Sequence, residues 1–189
     1  MSNSARRSVR RRQVALGLTA GALGLLAAPL ATRAQATPTA ATPEADAFPV
    51  TITHLMGETT LHARPERIVA SSDFLNLDAL LTLGLAPVAY GRVDPTVDTL
   101  LPWQAAAAGI PTFDAPGDVD LEAIAAARPD LILTMPMAFD GWYETVSAIA
   151  PTIVLDWDAP WRDSLRLVGR ATGASERAAA EIVAAEALL

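Results

Sequence analysis

The 189-residue chain contains 14 arginines and no lysine, 21 acidic residues and no cysteine. The lack of cysteine excludes disulfides, thiolate metal sites, a cysteine nucleophile and a lipid-modified N-terminal cysteine. The lack of lysine excludes the lysines of phosphate-binding loops, Schiff bases and kinases. Six arginines and no acidic residue precede Thr37, so the rest of the chain has eight arginines against 21 acids, a net charge of −13. That charge argues against binding to nucleic acid or anionic membranes, and most of it serves only solubility.

Residues 1–36 have the three parts of a secretory signal peptide. A basic start containing Arg11-Arg12 is followed by an uncharged, mostly apolar run over residues 14–31, and Ala34-Gln35-Ala36 supplies the small-x-small cleavage pattern. The paired arginines fit the twin-arginine form of such signals. An uncleaved membrane anchor is the alternative, because a run of this length is just long enough to span a bilayer. We expect cleavage and export, which places the mature protein in the periplasm or another extracytoplasmic space.

A small, polar, proline-containing stretch over residues 37–46 is predicted to be a flexible linker. The chain that follows, from about residue 47, has the length of one domain. A β-hairpin is expected first, because residues 49–54 and 59–63 both alternate and Met56-Gly57-Glu58 separates them.

Beyond the hairpin, short apolar runs alternate with helical patterns. Strands are predicted at residues 67–71, 87–91, 110–113, 131–134 and 152–155. Helices are predicted at residues 75–83, 98–108, 121–127, 141–150, 161–172 and 176–189, with Asp120 and Ser175 as N-caps and Gly84, Gly109 and Gly173 as stops. This alternation predicts an α/β fold with a parallel, Rossmann-like sheet covered by helices on both faces. Trp161 is expected to face the core.

Residues suited to catalysis are few. The chain has no G-x-S-x-G, no G-x-G-x-x-G and no H-E-x-x-H motif. Its two histidines, His54 and His62, both fall in the hairpin. Two histidines on a hairpin are more often ordinary strand residues than metal ligands. The carboxylates Asp73, Asp114 and Asp156 follow strands and are better explained as loop or capping residues. We therefore predict that the protein is not an enzyme and holds no metal through its own side chains.

Five segments in order carry a family resemblance: residues 64–69 (RPERIV), 77–88 (LDALLTLGLAPV), 121–133 (with LEAI and RPDLIL), 143–154 and 161–178. Together they resemble the periplasmic binding proteins of ABC importers for iron–siderophores and cobalamin. The resemblance implies two α/β lobes joined by one long helix, with the ligand in the cleft between them. Residues 47–173 would form the N-terminal lobe, and residues 174–189 would form the start of the interlobe helix. The resemblance also implies a ferric siderophore coordinated by its own chelator, so that the protein binds no cofactor directly. The second lobe would be absent here, so the chain is expected to be a fragment of a longer protein or an orphan lobe.

Ligands of open α/β sheets bind beyond the carboxyl ends of the strands, and Arg92 is the first candidate there. Its planar guanidinium suits the oxygens of an anionic ferric chelate, and the alternative is a surface pair with Asp94. Soft or aromatic side chains at the same edge are further candidates, although each alternatively packs in the core: Phe74, Tyr90, Met137, Trp142 and Trp157.

The resemblance gives Glu122 a different role. A glutamate at the matching L-E-x-I position docks onto the membrane permease in this family, and a favourable interaction with the helix dipole is compatible with that role. The expected partners are thus an ABC permease and a small metal chelate, not nucleic acid, and the protein is expected to be a monomer. Haem or cobalamin is the alternative ligand, and an interaction lobe without a solute is the alternative from a different class. Haem calls for a tyrosine or histidine at the cleft, and cobalamin relies more on aromatics than on Arg92.

Overall fold

The computed structural model describes residues 46–94, 96, 100–115, 120–137 and 140–188. Contacts divide the chain into two units, Met1–Thr39 and Ala40–Leu189, and every described residue belongs to the second. The predicted signal peptide and residues 37–45 of the predicted linker therefore lie outside the described residues. Within the part that is described, no helix is long and apolar enough to cross a membrane.

The described lobe begins with a β-hairpin and continues as alternating strands and helices. The strands are β1 (Val50–His54), β2 (Gly57–Leu61), β3 (Ile68–Ala70), β4 (Ala89–Arg92), β5 (Thr112–Asp114), β6 (Leu131–Thr134) and β7 (Thr152–Val154). The helices are α1 (Leu75–Thr82), α2 (Leu121–Ala126), α3 (Trp142–Ser147), α4 (Trp161–Thr172) and α5 (Ser175–Glu186), and a 3-10 helix covers Pro102–Ala107.

Strands β3 to β7 form one parallel sheet in the order β5-β4-β3-β6-β7, and β1 pairs with β2 in a separate antiparallel hairpin. From β3 the chain adds β4 and β5 on one side, then returns to add β6 and β7 on the other. The order thus reverses between β3 and β6, which pair with Val69 opposite Ile132. In open α/β sheets a crevice for ligands lies at such a switch point, beyond the carboxyl ends of the strands.

Two core layers cover the two faces of the sheet. Ile68 and Ala70 of β3 point into a layer built with α1, α4, α5 and the hairpin. Val69, between them, points into a second layer that contains Ile124 of α2 and Val146 of α3. Strands β3, β6 and β7 are buried at every position and mostly apolar because both faces of the sheet are covered, and this confirms the predicted α/β class with helices on both sides.

Most predicted elements are confirmed with shifted ends, and three details of the predictions were wrong. The helix predicted at residues 98–108 is a 3-10 helix over Pro102–Ala107 where it is described. Ser175 does not cap α5 but is its first residue, and Asp46 binds its backbone N–H and hydroxyl instead.

The third correction concerns Trp161, which is 41% exposed rather than directed at the core. It is the first residue of α4, and side chains on a helix lean toward its N-terminus, so the indole has no preceding turn to pack on. The Arg162 guanidinium carbon lies 4.7 Å from the centre of the indole instead.

Candidate ligand-binding site

The carboxyl ends of β3 and β6 are joined by a buried hydrogen bond. Ser71 Oγ donates to Thr134 Oγ1 over 2.8 Å, and Thr134 Oγ1 donates in turn to the Met135 carbonyl over 3.1 Å. Both hydroxyl side chains are buried at the point where the strand order reverses. The pair therefore forms a rigid, polar floor for any crevice above the sheet edge.

Gly91 brings β4 unusually close to this floor. A Cβ at that position would lie 2.2 Å from the Ser71 carbonyl oxygen and 2.9 Å from Phe113 Cε2, so only glycine fits without a backbone shift. The next residue, Arg92, ends β4 opposite Asp114 of β5 and is half-buried. Arg92 already makes an interaction within the chain, so a ligand would add to that interaction or compete with it.

Tyr90 and Arg92 line a cavity of about 500 Å³ against the 3-10 helix, and Asp73 and Thr112 also line it. Gln104 of the 3-10 helix is another lining residue, and its carboxamide is buried. Its Nε2 donates to the Asp73 carbonyl over 2.7 Å and to Asp78 Oδ1 over 2.8 Å, while its Oε1 accepts from the Leu101 N–H over 3.1 Å. These bonds tie the 3-10 helix to α1 and preorganise the cavity.

The other predicted ligand contacts are spread over the lobe. Phe74 is 44% exposed just before α1, and Trp157 is 64% exposed after β7. Tyr90 belongs to the first core layer although it lines the cavity, and Trp142 is buried in the second layer with Met137 against it. The structure thus joins Tyr90 and Arg92 in one cavity, and the ligand contacts proposed for all six residues remain predictions.

Trp157 lines a second cavity of about 560 Å³. This cavity lies between α1, α4, α5 and the loop after β7, and Leu75 and Trp161 are among its apolar lining residues. Two carboxylates, Asp78 and Glu181, also line it. The negative and apolar lining suits an anionic chelate less well than the arginine-lined cavity does.

Glu122 lies in the first turn of α2 and is exposed. Asp120 precedes this helix as predicted and accepts a hydrogen bond from the Ala123 N–H over 2.9 Å. The cap fixes the start of the helix and therefore the direction in which the Glu122 side chain points. A carboxylate there is also favoured by the helix dipole.

The two histidines do not face each other. His54 is buried opposite Gly57, whereas His62 is exposed beyond the end of β2. Burial lowers the pKa of His54 below its ordinary value of 6.5. Among the described residues, no three histidine, aspartate or glutamate side chains are grouped closely enough to hold a metal ion.

Sequence reasoning missed Ser71, Thr134, Gln104 and Gly91. A glycine at the end of a predicted strand signals a close backbone approach, so Gly91 could have been identified from the sequence. The buried polar groups carried no such signal, because serine, threonine and glutamine at strand ends and in turns are usually exposed.

Comparisons with known proteins agree with this fold. A family model described as periplasmic binding protein matches residues 69–185. The chain is 32% identical over 145 residues to the ferric enterobactin-binding periplasmic protein FepB of Escherichia coli O6:H1, which covers 71% of this chain and 46% of FepB.

Two solved structures are similar over almost the same part of the chain. The PiaA protein of Streptococcus pneumoniae, solved in complex with ferrichrome, is 27% identical with a TM-score of 0.64, and the match covers 73% of this chain and 49% of PiaA. The periplasmic catecholate-siderophore binding protein VctP of Vibrio cholerae is 33% identical with a TM-score of 0.58, covering 73% of this chain and 50% of VctP. The chain thus spans about half the length of the relatives it matches.

Proposed function

Because this chain belongs to the periplasmic binding protein family, we propose that it supplies a ligand-binding lobe for a ferric siderophore and delivers that ligand to an ABC permease. The observation that carries the proposal is the cavity of about 500 Å³ between β4, the start of β5 and the 3-10 helix, which Tyr90 and Arg92 line. The family consists of binding proteins rather than enzymes, so binding without turnover is the expected activity.

The chemistry of the cavity favours an oxygen-rich, anionic chelate. A guanidinium presents planar, charge-assisted donors to carboxylate, catecholate or hydroxamate oxygens. The Tyr90 ring supplies part of the lining, and the Gln104 hydrogen bonds to Asp73 and Asp78 hold the 3-10 helix in place beside it. The iron is cargo held by its chelator, so the protein recognises the complex and not the bare metal ion.

The binding test is a titration of the exported protein with ferric siderophores, followed by quenching of tryptophan fluorescence. Ferric enterobactin and ferrichrome represent an anionic tris-catecholate and a neutral trihydroxamate. We expect saturable quenching by at least one of them, with preference for the anionic chelate. Haem and cobalamin are titrated in parallel, and saturation by one of these alone would contradict the siderophore proposal.

Substitution of Arg92 tests the contact itself. Arg92→Ala should weaken binding of the anionic chelate about 10- to 100-fold, because a hydrogen bond to a charged group contributes roughly 1.5–3 kcal/mol. Arg166→Ala is the matched control, since Arg166 is an exposed arginine of α4 paired with Asp163 over 2.8 Å. Equal affinity of the Arg92 and Arg166 variants would remove Arg92 from the site, provided that both unfold at the wild-type urea concentration.

A further inference from the structure

His54 occupies a fully specified hydrogen-bond position between the hairpin and the sheet. Its Nδ1 accepts from the Met56 N–H over 3.3 Å and from the Val154 N–H over 3.4 Å. Two backbone donors aimed at one nitrogen require that nitrogen to carry a lone pair, so the proton of the neutral ring is on Nε2. Nε2 lies 2.9 Å from Thr59 Oγ1 and therefore donates to it.

The network continues from Thr59 to helix α3. Thr59 Oγ1 donates to the Thr152 carbonyl over 2.8 Å, which leaves its lone pairs to accept from His54 Nε2 and from the Tyr143 hydroxyl at 3.4 Å. The Tyr143 hydroxyl is also 3.4 Å from His54 Nε2, and the two ring centres are 5.8 Å apart. Tyr143 in turn packs edge-on against Trp142, with ring centres 5.7 Å apart at 81°.

This chain of contacts ends at Trp142, one of the ligand contacts predicted from the sequence. Trp142 begins α3 directly after the loop that leaves the carboxyl end of β6, and it shares a core layer with Met137 of that loop. Building on the proposed function, we propose that His54 is a positioning residue for Trp142 and, through it, for Met137, and that its protonation state sets how well the lobe binds its chelate.

Protonation of His54 is incompatible with the observed arrangement. A proton on Nδ1 would point at two backbone N–H groups, so the charged ring must turn away and give up its bonds to Thr59 and Tyr143. Burial already disfavours the charged form and lowers the pKa of His54. The stability that the neutral His54 ring contributes to the fold is therefore complete above pH 6.5. It is lost as the pH falls from 6.5 toward the folded-state pKa.

The groups that could compensate a charge on His54 are few. Tyr143 is the titratable side chain in contact with the ring. Glu58 of β2 accepts from Thr53 Oγ1 on the exposed side of the hairpin, and Arg170 of α4 donates to the Thr51 carbonyl. The other charged residues of the packed elements are exposed Glu144 of α3, half-buried Asp156 beyond β7, and Arg162, Asp163 and Arg166 of α4, which pair with Glu186 and with each other. Among these described groups, no carboxylate forms an ion pair or hydrogen bond with His54.

The composition of the chain allows a direct test by NMR. Only two histidines and four tryptophans are present, so few ring signals need assignment. His62→Asn identifies the His54 signal and also serves as the matched control, because His62 is an exposed histidine of the same hairpin region. Trp142→Phe identifies the Trp142 indole N–H. His54→Asn keeps an acceptor near the Nδ1 position and cannot titrate in this range.

We expect the Trp142 indole signal to shift with the same midpoint as His54, below pH 6.5, in the wild-type protein and in His62→Asn. The step should be absent in His54→Asn. A Trp142 signal that stays constant while His54 titrates, or a step that persists in His54→Asn, would overturn the positioning role. The wild-type measurement alone decides the matter if His54→Asn fails to fold.

Binding measurements separate this proposal from the proposed function. Ferrichrome is the probe, because catecholate chelates themselves take up protons in this range. Bound ferrichrome should lower the His54 midpoint, and each pH unit of lowering corresponds to about tenfold weaker binding by the protonated protein. An unchanged midpoint on saturable binding would refute the coupling. If Trp142 follows His54 but no ferric chelate binds at any pH, the positioning role stands and the proposed function fails.

Discussion

Gly91 sets how closely β4 approaches β3 and thereby places Arg92. A Cβ would lie 2.2 Å from a backbone oxygen that cannot rotate away, so Gly91→Ala must part the strands at their carboxyl ends. Overpacking of this kind costs about 1–3 kcal/mol. We expect a lower urea midpoint of unfolding and weaker chelate binding in the same variant.

Gly141→Ala is the control for this prediction. Gly141 has a φ of 71°, and a Cβ added there would have no neighbouring atom within 4 Å, so alanine meets backbone strain but no steric clash. That strain costs on the order of 1 kcal/mol. If Gly91→Ala were no more destabilising than Gly141→Ala, the close approach of the two strands would not make Gly91 necessary for stability.

Residue identity predicted exposure at some positions of the site and not at others. Phe74 and Trp157 are exposed in loops as expected. Tyr90 and Trp142 are buried, because the core layers on the two faces of the sheet close over them. An aromatic side chain at the end of a strand suits a ligand wall and a core equally well, and only the packing of the helices decides which it becomes.

Among the helices, α5 depends on a residue far away in the sequence. Asp46 accepts from the Ser175 N–H over 3.1 Å and from the Ser175 hydroxyl, so its carboxylate occupies the N-terminus of α5. A carboxylate there satisfies free N–H groups and interacts with the positive end of the helix dipole.

Asp46→Ala should therefore lower the free energy of unfolding by about 0.5–2 kcal/mol, the usual range for loss of a helix cap. Urea denaturation followed by circular dichroism measures the change. Asp158→Ala, at an exposed loop aspartate, is the control and should be nearly neutral. Equal midpoints for the two variants would show that Asp46 does not stabilise α5.

Element type was predictable where burial dictates composition. The strand at Leu131–Thr134 and the helix at Trp161–Thr172 have their predicted bounds, because the first is an apolar run buried on both faces and the second ends at Gly173 with a φ of 68°. The 3-10 helix at Pro102–Ala107 was not predictable as such. A run of alanines favours a helix but does not specify its hydrogen bonding, which here follows the tie of Gln104 to α1.

At the scale of the whole molecule, export is a prediction from residues that the structure does not describe. Cleavage after Ala36 would leave Thr37 as the first residue and remove six of the 14 arginines. Mass spectrometry of the N-terminal peptide from the extracytoplasmic fraction should find Thr37. An N-terminus within residues 1–12 in a membrane fraction would support the anchor instead.

Delivery to a permease would require a docking contact that ligand binding alone does not need. Glu122 is exposed in the first turn of α2, away from the cavity that holds Arg92, so its removal should leave the chelate affinity unchanged. If it docks onto a cationic site of the permease, Glu122→Ala should lower cellular uptake at least about tenfold, because close interfacial charge pairs are coupled by about 1.5 kcal/mol or more.

Glu144→Ala controls for the loss of one negative charge, because Glu144 is likewise an exposed glutamate in the first turn of a helix on the same face of the sheet. Radioactive iron uptake by cells that carry each variant, together with the titration of each purified protein, separates transport from binding. Equal uptake by the two variants would remove the docking role from Glu122. Reduced affinity in Glu122→Ala would instead connect α2 with the ligand site and not with the membrane partner.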